Sequence, residues 1–191
     1  MSTLEALATR RSIPAQYLTA PGPNDAQINA ALDLALCAPD HGRIQPWRYR
    51  LIRGAARERF AELLVSCALR RDPATPPPRL DKLRSRPLQA PLVIVLSAQL
   101  RADPKVPAIE QQLSAAAAAM NVLNAFHLQG FGAIWLTGPS IYDPAVATAL
   151  GCVEAEQLLG FMYVGTISAQ APKALARSAG APYVAEWRGR P

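Results

Sequence analysis

Apolar positions along the chain switch repeatedly between a helical period and a strand period, and each switch marks an element. Leu4, Leu7 and Ala8 recur at helical spacing and predict a short helix over Thr3–Arg10. Asn24 with Gln27 three residues later has the form of a capping box. The helix it opens at Asp25 carries Ile28, Leu32 and Leu36 on one face, and Pro39 ends it. Trp47, Tyr49 and Leu51 then alternate with Arg48, Arg50 and Ile52, which predicts a half-buried strand with arginines on its wetter face. Phe60, Leu63, Leu64 and Cys67 stripe a helix over 55–70. Pro91 to Ser97 is a continuous β-branched run, the pattern of a central strand buried on both faces.

Ala108 to Gln129 is apolar nearly all round, so it predicts a long helix covered on most faces, with Gly130 as its C′ residue. Gly132–Leu136 reads as a third strand and Leu158–Val164 as a fourth. Between them Asp143-Pro144 opens a helix that Gly151 closes. Two segments fit no element. Four prolines between Pro73 and Pro78 make 71–79 a surface loop, a lid or a linker between helices. After Thr166 the chain is Ala/Pro/Gly-rich to Pro191 and reads as an extended arm. Mixed strands and helices predict an α/β or α+β three-layer domain.

The chain has 191 residues, half of them apolar and 18% charged, which suits one domain with a full core and excludes wholesale disorder. The net charge of +6 raises the question of nucleic acid. Among the 20 basic residues only Lys82, Lys105 and Lys173 are lysine, and the arginines are scattered, with no block and no interleaved aromatics. A solvated surface with a few arginines on a small anion fits better than a nucleic-acid groove. Cys37, Cys67 and Cys152 form no CxxC and read as buried small hydrophobes in a reducing cytoplasm. His41 and His127 lack ligand-spaced partners, so no zinc site is expected. The N-terminus has no apolar signal-peptide region, and the uncharged run from Gln111 to Tyr142 is too interrupted by polar residues and glycines to span a membrane.

No phosphate-binding GxxxxGK[ST], strand-borne GxGxxG or GxSxG motif is present. Three segments remain. Arg10-Arg11-Ser12 puts two guanidiniums and a hydroxyl together, a compact clamp for phosphate or carboxylate. Taken alone, the pair reads first as helix C-terminal arginines complementing the dipole. The loop Ala38-Pro39-Asp40-His41-Gly42-Arg43-Ile44-Gln45-Pro46-Trp47 gathers Asp, His, Arg, Gln and Trp between two prolines, either a fixed functional loop or a polar turn. Trp135 and Leu136, within Gly130–Gly138, either flank a flat aromatic ligand or belong to the core.

Together, the helix-RRS start, the APDH…QPW loop, GFGAIWLTG and LGFMYVGT resemble the FMN-dependent nitroreductase family, in its short bacterial NAD(P)H nitroreductase branch, from about Leu4 to Thr166. The resemblance implies an α+β three-layer fold, a central mainly antiparallel sheet wrapped by helices, and an intertwined homodimer with two FMN sites between subunits. It places the domain at 1–166 and an irregular arm on the partner at 167–191. It assigns FMN to Arg10, Arg11, Ser12, His41, Trp135, Leu136 and Thr137, and makes NAD(P)H the co-substrate and a small nitroaromatic or quinone-like molecule the acceptor. No side chain is then needed as a catalytic acid, base or nucleophile, because the flavin carries the chemistry. A flavin binder with little reductase activity is the alternative. Resembling relatives carry Arg at the positions of Cys37 and Leu136; Arg43, Lys173 or Arg177 are the residues expected to replace that charge.

Overall fold

The computed structural model describes residues 2–189 with the exception of 175 and 177. In chain order the elements are α1 (Thr3–Ala8), β1 (Leu18–Thr19), α2 (Asp25–Ala35), β2 (Trp47–Arg53), α3 (Ala56–Arg71), α4 (Pro77–Gln89), β3 (Leu92–Gln99), α5 (Ala108–Leu128), β4 (Phe131–Leu136), α6 (Pro144–Ala149) and β5 (Glu156–Ile167). β3 lies between β2 and β5, paired from Trp47↔Ala98 to Arg53↔Leu92 on one side and from Leu92↔Val164 to Gln99↔Glu156 on the other. β5 also pairs with β4, from Phe131↔Thr166 to Leu136↔Phe161, and its end pairs with β1. All these ladders are antiparallel.

The two-residue period of β3 divides the core. Leu92, Ile94, Leu96 and Ala98 pack under α2 and α5, while Val93 and Val95 pack with Phe60, Leu64 and Cys67 of α3 and Val146 of α6. A strand buried on both faces therefore produces three layers. Small residues bring α2 and α5 close: Ala31 and Ala35 meet a surface of Ala115, Ala118 and Ala119. The expected capping box of α2 is formed, with Asn24 accepting from the Gln27 N–H and Gln27 accepting from the Asn24 N–H.

Three readings need correction. The proline run does not exclude a packed element: Pro77 and Pro78 occupy the first turn of α4, where a missing N–H costs nothing, so only 72–76 links α3 to α4. α2 stops at Ala35, because Ala38 precedes Pro39 and is steered away from helix. Leu36 is 55% exposed and Cys37 is exposed as well, so neither belongs to the core; Cys67 is buried and Cys152 half-buried. α5 is covered by the sheet, by α2 and, near its C-terminal end, by α1. Ile109 (58% exposed), Leu113 (61%) and Met120 (39%) form an open apolar line along it. Beyond Ile167 the described tail holds one short helical turn, Ala181–Tyr183, and exposes Tyr183, Val184 and Trp187. Among the described residues no helix is long and apolar enough to cross a membrane, and no His/Cys/Asp/Glu cluster suits a metal ion.

Arg50 reaches from β2 across Ser97 of β3 to Glu156 at the start of β5. Its guanidinium donates to both carboxylate oxygens, to Ser97 Oγ (3.2 Å) and to the Gly151 carbonyl (2.8 Å). Ser97 Oγ and the Val153 N–H also donate to Glu156. Burial alone would raise the Glu156 carboxyl, but these donors hold it at about 2, against an ordinary 4.5. A depressed carboxylate stabilises the fold above its unfolded-state pKa and ceases to as pH falls through the folded value. Glu156→Gln should therefore cost roughly 2–4 kcal/mol at pH 7. It should also flatten the loss of stability between about pH 4.5 and 2. Urea unfolding midpoints of both proteins across that range check this.

Candidate functional site

After α1 the chain runs along the outer edge of β4. Ser12 bridges Ala133 in parallel and the Ile13 N–H donates to the Ala133 carbonyl (3.0 Å). This close approach requires Gly132: a Cβ there would lie 2.7 Å from Ile167 and Leu18 and 3.1 Å from Ile13. Arg10 and Arg11, both half-buried, thus stand at the first residues of β4. They line a small hollow of about 50 Å³ with Leu123, His127 and Gly132. His127 is bound to Thr9 Oγ1 (3.0 Å) and the Ala6 carbonyl (2.8 Å), so it anchors α1 to α5.

Trp135, Leu136 and Thr137 lie at the other end of β4. Strand alternation sends Trp135 to the α2–α5 side and Leu136 to the α3 side, so the pair does not flank one ligand from the same face. Trp135 is fixed by a bulge in β5. The register moves from Leu96↔Gly160 to Ser97↔Leu158, which leaves Leu159 unpaired, and the Leu159 carbonyl accepts from the Trp135 indole N–H (3.0 Å). The ring lies directly over Gly160, whose φ is +152° and where a Cβ would sit 2.1 Å from Trp135 Nε1.

Leu136 and Thr137 open onto a cavity of about 240 Å³ between α3, α4 and β5. Its floor is Leu64, Leu83, Leu136, Phe161 and Tyr163, and its rim is Arg71, Arg79, Lys82 and Arg86; no acidic residue lines it. A broader groove lined by Cys67, Arg70, Tyr142 and Asp143 adjoins it across Arg71 and Thr137. Arg71 is paired with Asp143 (2.8 Å). Burial pushes the Tyr163 phenol up to about 12, with Arg86 pulling the other way. The three α4 cations at 79, 82 and 86 occupy one helix face. Their spacing is readable in the sequence once Pro77 is taken as a helix start instead of part of a loop.

His41 is not brought to the arginine pair within one protomer. It sits on the turn His41–Arg43, and its Nδ1 lies 2.7 Å from Glu110 in the first turn of α5. Arg10 and Arg11 sit beside Leu123 and His127 near the other end of that helix. Thirteen to seventeen residues of helix separate them, roughly 20–25 Å. Arg43 shares the His41 turn and Lys173 is exposed in the tail; Arg177 lies outside the described residues.

Comparison with known proteins gives one consistent result. Residues 7–166 match the model of the nitroreductase family. Over 166 residues, 87% of this chain and 88% of the relative, the sequence is 39% identical to an Escherichia coli (strain K12) protein named "Putative NAD(P)H nitroreductase YdjA". A nitroreductase-like family protein from Bacillus cereus superposes with a TM-score of 0.84 at 22% identity, covering 99% of this chain and 97% of that one. The FMN and NADPH-dependent nitroreductase NfnB from Sphigopyxis sp. strain HMH superposes with a TM-score of 0.78 at 17% identity, covering all of both chains.

The seat of Trp135 is testable without any ligand. Gly160→Ala places a methyl where the indole lies, at a backbone angle that side chains avoid. It should destabilise the fold by roughly 2–4 kcal/mol and shift tryptophan emission toward that of an exposed indole. Urea unfolding and fluorescence of the folded variant read both effects; an unchanged spectrum would contradict the packing of Trp135 on Gly160.

Proposed function

The chain belongs to the nitroreductase family, and on that premise we propose that it is an FMN-dependent oxidoreductase that passes electrons from NAD(P)H to a small nitroaromatic or quinone-like acceptor in a ping-pong scheme. The observation that supports it best is the edge of β4. Arg10, Arg11 and Ser12 supply cations and a hydroxyl at its beginning, and Thr137 and Gly138 end it five to six residues later. At about 3.3 Å per residue that edge runs roughly 17–20 Å, long enough for a flavin ring and its extended phosphate tail. The donor set suits the group: guanidiniums for a dianionic phosphate, and a strand edge with free backbone groups for the polar ring.

When bound, FMN supplies hydride acceptance and release. The protein's share is to hold, orient and expose it. Arg10 and Arg11 fix the phosphate, the bridge to Ala133 fixes their position, and Thr137 marks the ring end of the shelf. Arg79, Lys82 and Arg86 provide positive charge beside that end, which favours a reduced, more anionic ring. No acid or base is required of the side chains. Elsewhere Arg50, Arg53, Arg71 and Arg84 are each paired with a carboxylate, which supports a small-molecule site over a nucleic-acid groove.

His41 joins this site from a second copy of the chain. Its distance from Arg10 within one protomer, the open apolar line Ile109–Leu113–Met120 on α5 and the exposed tail residues Tyr183, Val184 and Trp187 all support a homodimer. The described part of the arm beyond Ile167 lies on that partner.

The purified protein should be yellow, and NAD(P)H should bleach it; a bleached protein that an acceptor fails to reoxidise would be a flavin binder without reductase function. Arg10→Ala should weaken FMN roughly tenfold to a hundredfold with little loss of stability. Coexpression tests the shared site. If His41 of one subunit completes the site of the other, mixing Arg10→Ala and His41→Ala chains restores about a quarter of the native sites, because one site of each mixed dimer is intact. No restoration would place His41 elsewhere.

A further inference from the structure

We infer that Glu110, Gln111 and Ser114, in the first two turns of α5, are positioning residues for His41: they hold its turn in one strained shape and decide which ring nitrogen it offers to a ligand. That the ligand is a flavin on the partner subunit rests on the proposed shared site; that the turn is held rests on contacts within one protomer.

The turn returns little to the core. His41, Gly42, Arg43 and Gln45 are exposed, and between Asp40 and Pro46 only Ile44 is buried. Its backbone is nevertheless costly, with φ at +69° for Gly42, +53° for Arg43 and +51° for Gln45. Two of these residues carry a Cβ. Such strain persists only where surrounding contacts over-determine it, and it gathers in functional segments.

Most of those contacts come from α5. Ser114 Oγ donates to the Pro39 carbonyl (2.8 Å) at the entry to the turn. Gln111 is 1% exposed and acts at one remove. Its side-chain amide donates to the carbonyls of Arg101 (2.9 Å) and Val106 (3.0 Å) and accepts from the Arg101 N–H (3.0 Å). This clip closes segment 101–106 against the start of α5 and seats the buried Val106 on the turn: a Cβ at Gly42 would come within 3.2 Å of Val106 Cγ2. Asp40 closes the turn from within, accepting from the Ile44 N–H (3.1 Å) and the Gln45 N–H (2.9 Å).

Glu110 sets the ring itself. Its Oε2 lies 2.7 Å from His41 Nδ1. An ionised carboxylate only accepts hydrogen bonds, so the proton stays on Nδ1 and Nε2 is the nitrogen left for a ligand. Held at Pro39, His41, Gly42 and Ile44, the imidazole is fixed before any partner or ligand arrives, which lowers the ordering cost of binding.

The chain has two histidines, and His127, bound to Thr9 and Ala6 in the last turn of α5, serves as an internal control. By NMR of the ring nitrogens, neutral His41 should carry its proton on Nδ1. Glu110→Ala should remove that preference, and Ser114→Ala should shift the His41 signals, with those of His127 unchanged in both. Titrated with FMN, His41→Ala should weaken binding about tenfold, and Glu110→Ala and Ser114→Ala each about threefold to tenfold. In a His41→Ala background neither should weaken it further, because residues that act through His41 then have nothing to position. Gln111→Met, which replaces the clip by an apolar chain of similar length, should follow the same pattern; Ser114→Ala, which removes one hydroxyl, carries the test if that variant fails to fold. Additive losses for His41→Ala and Ser114→Ala overturn the inference and leave the shared site standing, as does a His41 tautomer indifferent to Glu110. An FMN affinity that His41→Ala leaves at its native value overturns the shared site, and the inference with it.

Discussion

Everything in this fold depends on the ladder between β3 and β5, which is buried on both faces. Each residue of β3 from Leu92 to Ala98 is buried, so helices must cover both sides of the sheet. The alternation of its side chains decides which helix meets which residue: α2 and α5 on one side, α3 and α6 on the other. The ladder cannot slip by one residue without turning both apolar faces inside out.

The bulge at Leu159 links that constraint to the candidate site. It breaks the ladder where β5 begins to carry β4 on its other edge, and it frees one carbonyl to hold the Trp135 indole. β4 is consequently an edge strand with a fixed orientation: arginines at its beginning, Trp135 and Leu136 on opposite faces at its end. Edge strands offer unsatisfied backbone groups. Here the offer is met at one point by Ser12 and Ile13 and otherwise stays open to a ligand.

The electrostatics divide the arginines into two kinds. Arg50 is structural, tied to Glu156, Ser97 and Gly151 in a network that joins three strands. Arg71 ties α3 to the cap of α6 through Asp143. Those of α4 that face the cavity have no such duty.

Local elements were legible in the sequence wherever periodicity and capping are decided by near neighbours. The capping box at Asn24, the buried run of β3, the length of α5 with Gly130 after it, and the Asp143-Pro144 helix start were all readable from residues a few positions apart. So was the set of chemically unusual segments, including Arg10-Arg11-Ser12. The start of α4 was not, because a run of prolines reads as a loop until its helical first turn is seen. The exposure of Leu36 and Cys37 was not legible either, because helix periodicity does not reveal where Pro39 unwinds α2. Only the tertiary structure decided that Trp135 and Leu136 face opposite ways, that Arg79, Lys82 and Arg86 meet Tyr163 across a cavity, and that the length of α5 keeps His41 from Arg10. Each of these depends on strands and helices distant in sequence, whose relative placement is set by shared burial, and no local pattern of residues encodes that.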